Sequence, residues 1–226
     1  QLLGRVSILI PTMFDSRYIL ELCLKTIEKY TDYFDYQVLV CDAGIDETAS
    51  GYLKGLVQQG AVRLIKATDW QRPKDDLVRA VDTPYYILMH DDVQILKHGW
   101  LTRRMKLMQR NERNAVVGSI VKNYNSQKNR FFPLGLLVKT DISRKLDLRW
   151  GKQEGFDTGA LAYQRFFAQE EYKFVSYKVS KDIRHFSEMT WPKYHNAENY
   201  PELDIKLRAR EEKIKMIRYL LDNKKY

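Results

Sequence analysis

The chain has 226 residues, 44% of them hydrophobic, which suits one α/β domain, or one domain with a small appendage, and excludes wholesale disorder. Its formal net charge of +9 favours anionic partners (nucleic acid, acidic lipid headgroups or a phosphorylated substrate) without choosing among them. The two cysteines, Cys23 and Cys41, lack CxxC spacing, which argues against a disulfide framework or a zinc site and suits a reducing compartment.

No run is long enough to span a membrane, and no signal peptide is visible. The start at Gln1 rather than Met leaves open that the chain is a fragment, with an anchor or fused domain elsewhere. Arg5 to Ile10 reads as a strand stopped by Pro11-Thr12. Ile19, Leu20, Leu22, Cys23 and Ile27 recur at helical spacing behind an N-cap at Asp15 or Ser16. Tyr36 to Cys41 is a second strand, ending in Asp42-Ala43-Gly44-Ile45-Asp46, and Thr48 to Gln59 a second helix. Val62 to Lys66 is a short third strand, and Lys74 to Val81 a polar-to-apolar helix. It leads into Tyr85-Tyr86-Ile87-Leu88-Met89-His90-Asp91-Asp92-Val93, an apolar strand that stops at adjacent carboxylates. A basic helix then runs from Trp100 to about Arg110. Ala115 to Val121 is a strand, Asn123 to Asn129 a polar loop, Leu134 to Lys139 a strand and Ile142 to Leu148 a short connector. Gly151 to Gly159 is glycine-rich and precedes a helix over 160–169. Tyr172 to Val179 reads as an edge strand that Ile183-Arg184-His185 closes, and the charged sequence after Pro201 as a helix.

Strand–helix alternation with near-continuous apolar strands predicts a mostly parallel sheet covered by helices. Ligands of such sheets bind at the carboxyl ends of the strands, so Pro11-Thr12, Asp42 and His90-Asp91-Asp92 should converge on one crevice. Paired carboxylates ending a buried strand are unfavourable unless a cation meets them, and a divalent ion is the natural one. The simpler reading of the pair is a turn or helix cap. Asp42 suits contact with a base or ribose as well as it suits an Asx-turn. Lys66, Arg72 and Lys74 could neutralise a diphosphate, although basic surface residues are usually solvated and any one of them suits that simpler reading better. Asp157 (GFDTG) is placed either to remove a proton from an attacking hydroxyl or to cap a helix. His185 is either a metal ligand or a packed side chain. His98 and His195 have no distinguishing context, and the 15 tyrosines suit sugar stacking and core packing alike.

The order VSILIPT, VLVCDAGIDET, YYILMHDDVQILKHGWL resembles the family 2 glycosyltransferases of the GT-A fold, over roughly residues 5 to 190. The resemblance implies a Rossmann-like GT-A catalytic domain over 1–190, with a nucleotide-binding part to about 100 and an acceptor part over about 101–190. A C-terminal helical extension would follow over 191–226. It implies that Pro11 and Thr12 line the nucleotide pocket and that Asp42 contacts the base, with Asp46 in the turn beyond. Lys74 or Asp75 falls near base and phosphates. His90-Asp91-Asp92 matches the DxD motif, with Asp92 on a Mn2+ or Mg2+ ion and His90 and Asp91 shaping its surroundings. His185 matches a late histidine that completes the ion site. Gly135, within Phe132 to Val138, matches the glycine of an acceptor-facing loop, and Asp157 the catalytic base. The chain departs from the pattern at His90, in the shortened turn after Asp42 and in Asp157-Thr158-Gly159. The implied activity is inverting, ion-dependent transfer of a sugar from a nucleotide diphosphate sugar, UDP favoured, to a hydroxyl of a glycan or lipid-linked glycan. The expected location, read from the cysteines and the lack of a visible signal peptide, is cytoplasmic, with peripheral membrane contact permitted and no nucleic acid expected. Two other readings remain at this point: a nucleotidyltransferase on a related sheet, or a noncatalytic basic module that binds nucleic acid.

Overall fold

The computed structural model describes residues 4–14, 17–45, 47–122, 128–186 and 203–226. Asp15, Ser16, Asp46, His195 and most of the polar stretch after Lys122 lie outside them. The chain begins with β1 (Val6–Phe14), α1 (Arg17–Tyr30), β2 (Tyr36–Ile45), α2 (Glu47–Gln58), β3 (Arg63–Lys66) and α3 (Pro73–Arg79). Next come β4 (Tyr85–Leu88), β5 (Val93–Ile95), α4 (Trp100–Gln109), β6 (Asn114–Lys122), β7 (Asn129–Lys139) and α5 (Thr140–Lys145). Last are α6 (Ala160–Phe167), β8 (Lys173–Ser176), β9 (Ile183–His185) and α7 (Leu203–Asp222).

Seven strands form one sheet in the order β3-β2-β1-β4-β7-β6-β8. β3, β2, β1 and β4 run parallel, β7 is antiparallel to both β4 and β6, and β8 pairs parallel with β6 at the edge. Alternate residues of each strand feed opposite layers. Ile8, Ile10, Val38, Val40 and Ile87 pack under α1 and α4, while Leu9, Leu39, Cys41, Tyr86 and Leu88 face α3, Trp150 and α6. Burial on both faces explains why these strands read as continuous apolar runs. Each fully buried Leu or Ile contributes about 1.5–3 kcal/mol. α7 does not stand apart from the domain: its Ile217 and Leu221 pack on Ile19 and Leu22 of α1 and on Phe186.

Several boundaries differ from the sequence expectation, each for a physical reason. β1 runs through Pro11 and Thr12 to Phe14 rather than stopping there. Leu9 gives its carbonyl to Met89 N at 2.9 Å, so Pro11, two residues on, turns its nitrogen to the same side, beyond the last paired residue of β4. A missing N–H costs nothing there. The stretch from Tyr85 to Val93 is not one strand, because β4 ends at Leu88 and β5 begins at Val93. Ile183–His185 does not close β8; it pairs antiparallel with β5 in a separate two-stranded sheet. The segment expected as an acceptor-facing loop, Phe132 to Val138, belongs to β7. The connector after it is the short helix α5.

Candidate functional site

At the carboxyl edge of the parallel strands, Thr12 pairs in register with Asp42, and Asp42 with Lys66. Thr12 is fully buried, two residues before the end of β1. Asp42 turns its Oδ1 back on its own loop and accepts from Gly44 N at 2.9 Å and Ile45 N at 3.1 Å, the Asx-turn arrangement. Lys66 is exposed at the strand end, and Arg72 is paired with Asp69 at 3.4 Å. Asp75 is buried and accepts from Trp150 N at 2.7 Å, Gly151 N at 3.2 Å and Gln153 Nε2 at 3.1 Å. Its carboxylate thus anchors the loop that leads to Asp157.

Beyond β4 the chain bends through His90-Asp91-Asp92. Three main-chain contacts fix the bend: Met89 N to Leu9 O at 2.9 Å, Phe186 N to Asp92 O at 2.9 Å, and the Cys23 thiol of α1 to His90 O at 3.6 Å. The β5–β9 ribbon sets His185 opposite Val93, and therefore beside Asp92. Asp92 Oδ1 lies 3.1 Å from His185 Nε2 and 3.7 Å from His90 Nδ1, and the two ring nitrogens are 3.3 Å apart. Phe132 sits edge-on to both imidazoles, with centroids 6.2 and 6.1 Å away.

These donors fit a divalent ion. Ligands about 2.2 Å from an ion and at right angles to one another lie about 3 Å apart, close to the observed separations. His90 Nε2 is buried without a hydrogen-bond partner among the described residues, an arrangement suited to an anionic ligand arriving with the ion. Two imidazoles with one carboxylate suit a first-row transition ion better than Mg2+, which prefers oxygen throughout. His90, read from sequence as shaping the ion's surroundings, stands here among the donors themselves.

Cations flank this group. Burial pushes the Lys74 ammonium below its usual pKa, against the opposing pull of Asp91 and Asp92, so its charge faces the carboxylates. Burial alone would raise the Asp92 carboxyl, yet the hydrogen bond from His185 and the imidazole of His90 hold it below the usual carboxylate range. Arg130 of β7 was not singled out from sequence, where it is one basic residue in a basic chain. It lies close enough to depress both His90 and Lys74, it pairs with Asp157 Oδ2 at 3.6 Å, and it donates to Thr158 O at 2.9 Å. Asp157 is exposed and accepts from Thr158 N at 2.8 Å. Gly159, at φ +77°, lets this loop pass the Phe131 carbonyl, which a Cβ would meet at 2.5 Å. His98 lies apart from this group, edge-on to Tyr30 at 5.0 Å.

Burial, then the Lys74 cation, lowers the His90 imidazole from 6.5 to about 3 despite the pull of Asp92. The unfolded chain takes up this proton near pH 6.5 and the native chain only near pH 3, so stability should fall as pH drops through that window. Urea titrations at neutral and mildly acid pH should show the loss, and His90→Asn should remove most of it. Identical pH slopes in the two proteins would refute the assignment.

Solved structures share this fold. The mannosyltransferase PcManGT from Pyrobaculum calidifontis, in complex with GDP-Man and Mn2+, superposes with a TM-score of 0.65 at 14% identity, over 84% of this chain and 59% of that one. TarS 1-349 from S. aureus superposes with a TM-score of 0.59 at 12% identity, over 84% of this chain and 62% of that one. Its complex with UDP-GlcNAc gives a TM-score of 0.57 at 10% identity, over 77% and 58% of the two chains. This chain therefore spans less than two thirds of each. No curated protein sequence matches it. The sheet order and these superpositions define a GT-A fold. Residues 7–173 match the model of Glycosyl transferase family 2, and the chain belongs to that family.

Proposed function

We propose that this chain transfers a sugar from a nucleotide diphosphate sugar, a UDP-sugar by preference, to a hydroxyl of a glycan or lipid-linked glycan, with inversion and with a divalent ion. The observation that carries this reading is the convergence of His90, Asp92 and His185 at the end of β4, within 4.8 Å of one another. Family membership and the nucleotide-sugar complexes of the related folds support it.

Asp92, His90 and His185 would hold the ion, Mn2+ ahead of Mg2+ on the donor chemistry argued above. When bound, such an ion offsets the negative charge that develops on the departing nucleotide diphosphate. Lys74 and Arg130 add fixed positive charge beside the same group. Pro11 and Thr12 line the nucleotide side, with Asp42 and Asp75 shaping that wall through the loops they hold and Asp91 facing Lys74. Asp157 accepts the proton of the acceptor hydroxyl. The acceptor oxygen then bonds to the anomeric carbon as the bond to the diphosphate breaks on the opposite face. The reading places the reaction in the cytoplasm, with a basic surface available to a membrane-bound acceptor. No described helix is long and apolar enough to cross a membrane.

A thermal-shift screen of nucleoside diphosphates with Mn2+, Mg2+ or chelator tests this. UDP with Mn2+ should raise Tm more than either alone. At a hundredfold excess over Kd the gain is about 2.7 kcal/mol, or roughly 5–10 °C for a chain of this size. If no nucleotide shifts Tm with any ion, the reading falls.

A further inference from the structure

Behind the candidate site lies a buried ionic group that the proposed reaction does not use. Arg104 of α4 and Asp182, just before β9, are 0% and 2% exposed and meet at 3.0 Å between Nη1 and Oδ2. Arg103 Nη2 donates to Asp182 Oδ1 at 2.6 Å and the Tyr177 hydroxyl to Oδ2 at 2.5 Å. The Arg104 guanidinium lies 4.3 Å over the Tyr177 ring, and its Nε donates to Gly135 O of β7 at 3.0 Å. Gly135 has φ +62°, and a Cβ there would come within 3.2 Å of Arg104 Nη2. Glycine therefore lets β7 run close against the guanidinium.

Stability is a poor reason for such a pair. Desolvating an arginine and an aspartate costs several kcal/mol per ion, and an apolar pair of similar volume is often as stable. Its position gives a better reason. The Asp182 carbonyl accepts from Leu96 N at 2.8 Å, just past the end of β5. Ile183–His185 then pairs with β5 up to Val93, the residue after Asp92. Two ion donors are thus set by a ribbon of three-residue strands, too short to hold its own register in isolation.

We propose that the Arg104–Asp182 pair is a positioning clamp. It holds β9 on β5 so that His185 meets Asp92 and His90, and through Gly135 it ties that geometry to β7. The inference rests on the ion-site reading given under Proposed function.

The test is Mn2+ binding to the whole chain without nucleotide, followed by electron paramagnetic resonance, with histidine nitrogen couplings read by electron spin echo. The double variant Arg104→Met with Asp182→Asn removes both charges at similar volume and leaves neither one buried alone. It should keep the native circular dichroism spectrum, bind Mn2+ about 10- to 100-fold more weakly and lose one nitrogen coupling. His185→Ala supplies the reference spectrum for that loss. Tyr177→Phe keeps both charges, removes one hydrogen bond to Asp182 and should weaken binding about threefold. It decides the matter alone if the double variant does not fold. Wild-type affinity and both couplings in the folded variant overturn the clamp and leave the ion site standing. A wild-type chain that takes up no Mn2+ overturns the ion site and the clamp together.

Discussion

Asp92→Ala should lower kcat by about a hundredfold or more, abolish Mn2+ uptake and leave the circular dichroism spectrum native. Asp92 supplies the only carboxylate oxygen of the donor group, 3.1 Å from His185 and 3.7 Å from His90. Only two imidazoles beside the Lys74 cation would be left to attract an ion, and the positive charge there would repel it. The fold should survive because the bend is fixed by main-chain contacts to Leu9 and Phe186 that alanine keeps. Steady-state release of nucleotide diphosphate, measured with the same excess of Mn2+ for both proteins, checks the claim. Normal turnover by the variant would remove the ion from the reaction and with it the reading of the site.

The second large effect concerns Asp157. Asp157→Asn should lower kcat by about a hundred- to ten-thousandfold, with KM for the donor unchanged, because the amide cannot accept the acceptor's proton. Stability should move by less than about 0.5 kcal/mol, since the pair with Arg130 is partly exposed, at 22% and 44% of the two side chains. Donor binding and turnover are therefore expected to separate in this variant, whereas Asp92→Ala should lose both. A kcat within a few-fold of wild type would exclude Asp157 as the base and direct attention to another acceptor-side carboxylate.

The donor half of the fold is plain in the sequence. Its strands are buried on both faces and end at turn residues, so VSILI, QVLVC and YYILM stand out without any knowledge of their partners. The other half is less legible. β7 contains Pro133 and Gly135, which break the strand pattern, and its regularity comes from pairing with β4 and β6. The β5–β9 ribbon joins residues far apart in sequence through strands with no local signature. At the site, the carboxylate of Asp92 could be singled out because it follows an apolar run, and the imidazole of His185 because it ends a strand and matches the late histidine of the resemblance. The donor geometry of His90 depends on a bend that forms only against α1 and Phe186. Arg104 was hidden for a different reason: a basic helix reads as solvated, and only the fold reveals that one of its arginines is fully enclosed.

The seam between β4 and β7 has a consequence for how substrates come and go. Tyr85–Leu88 pair residue for residue with Leu136–Lys139, so the parallel strands and the β7–β6–β8 half of the sheet belong to one continuous slab. Rotating them apart about a hinge would break these main-chain bonds, each worth about 1 kcal/mol net, and would open the apolar layers on both faces of the slab. The two halves of the sheet cannot gape like a jaw. On the proposed reading, a donor would enter and a spent nucleotide leave past the segments that rim the slab, and a rate-limiting release step would respond to changes in those rims rather than in the strands.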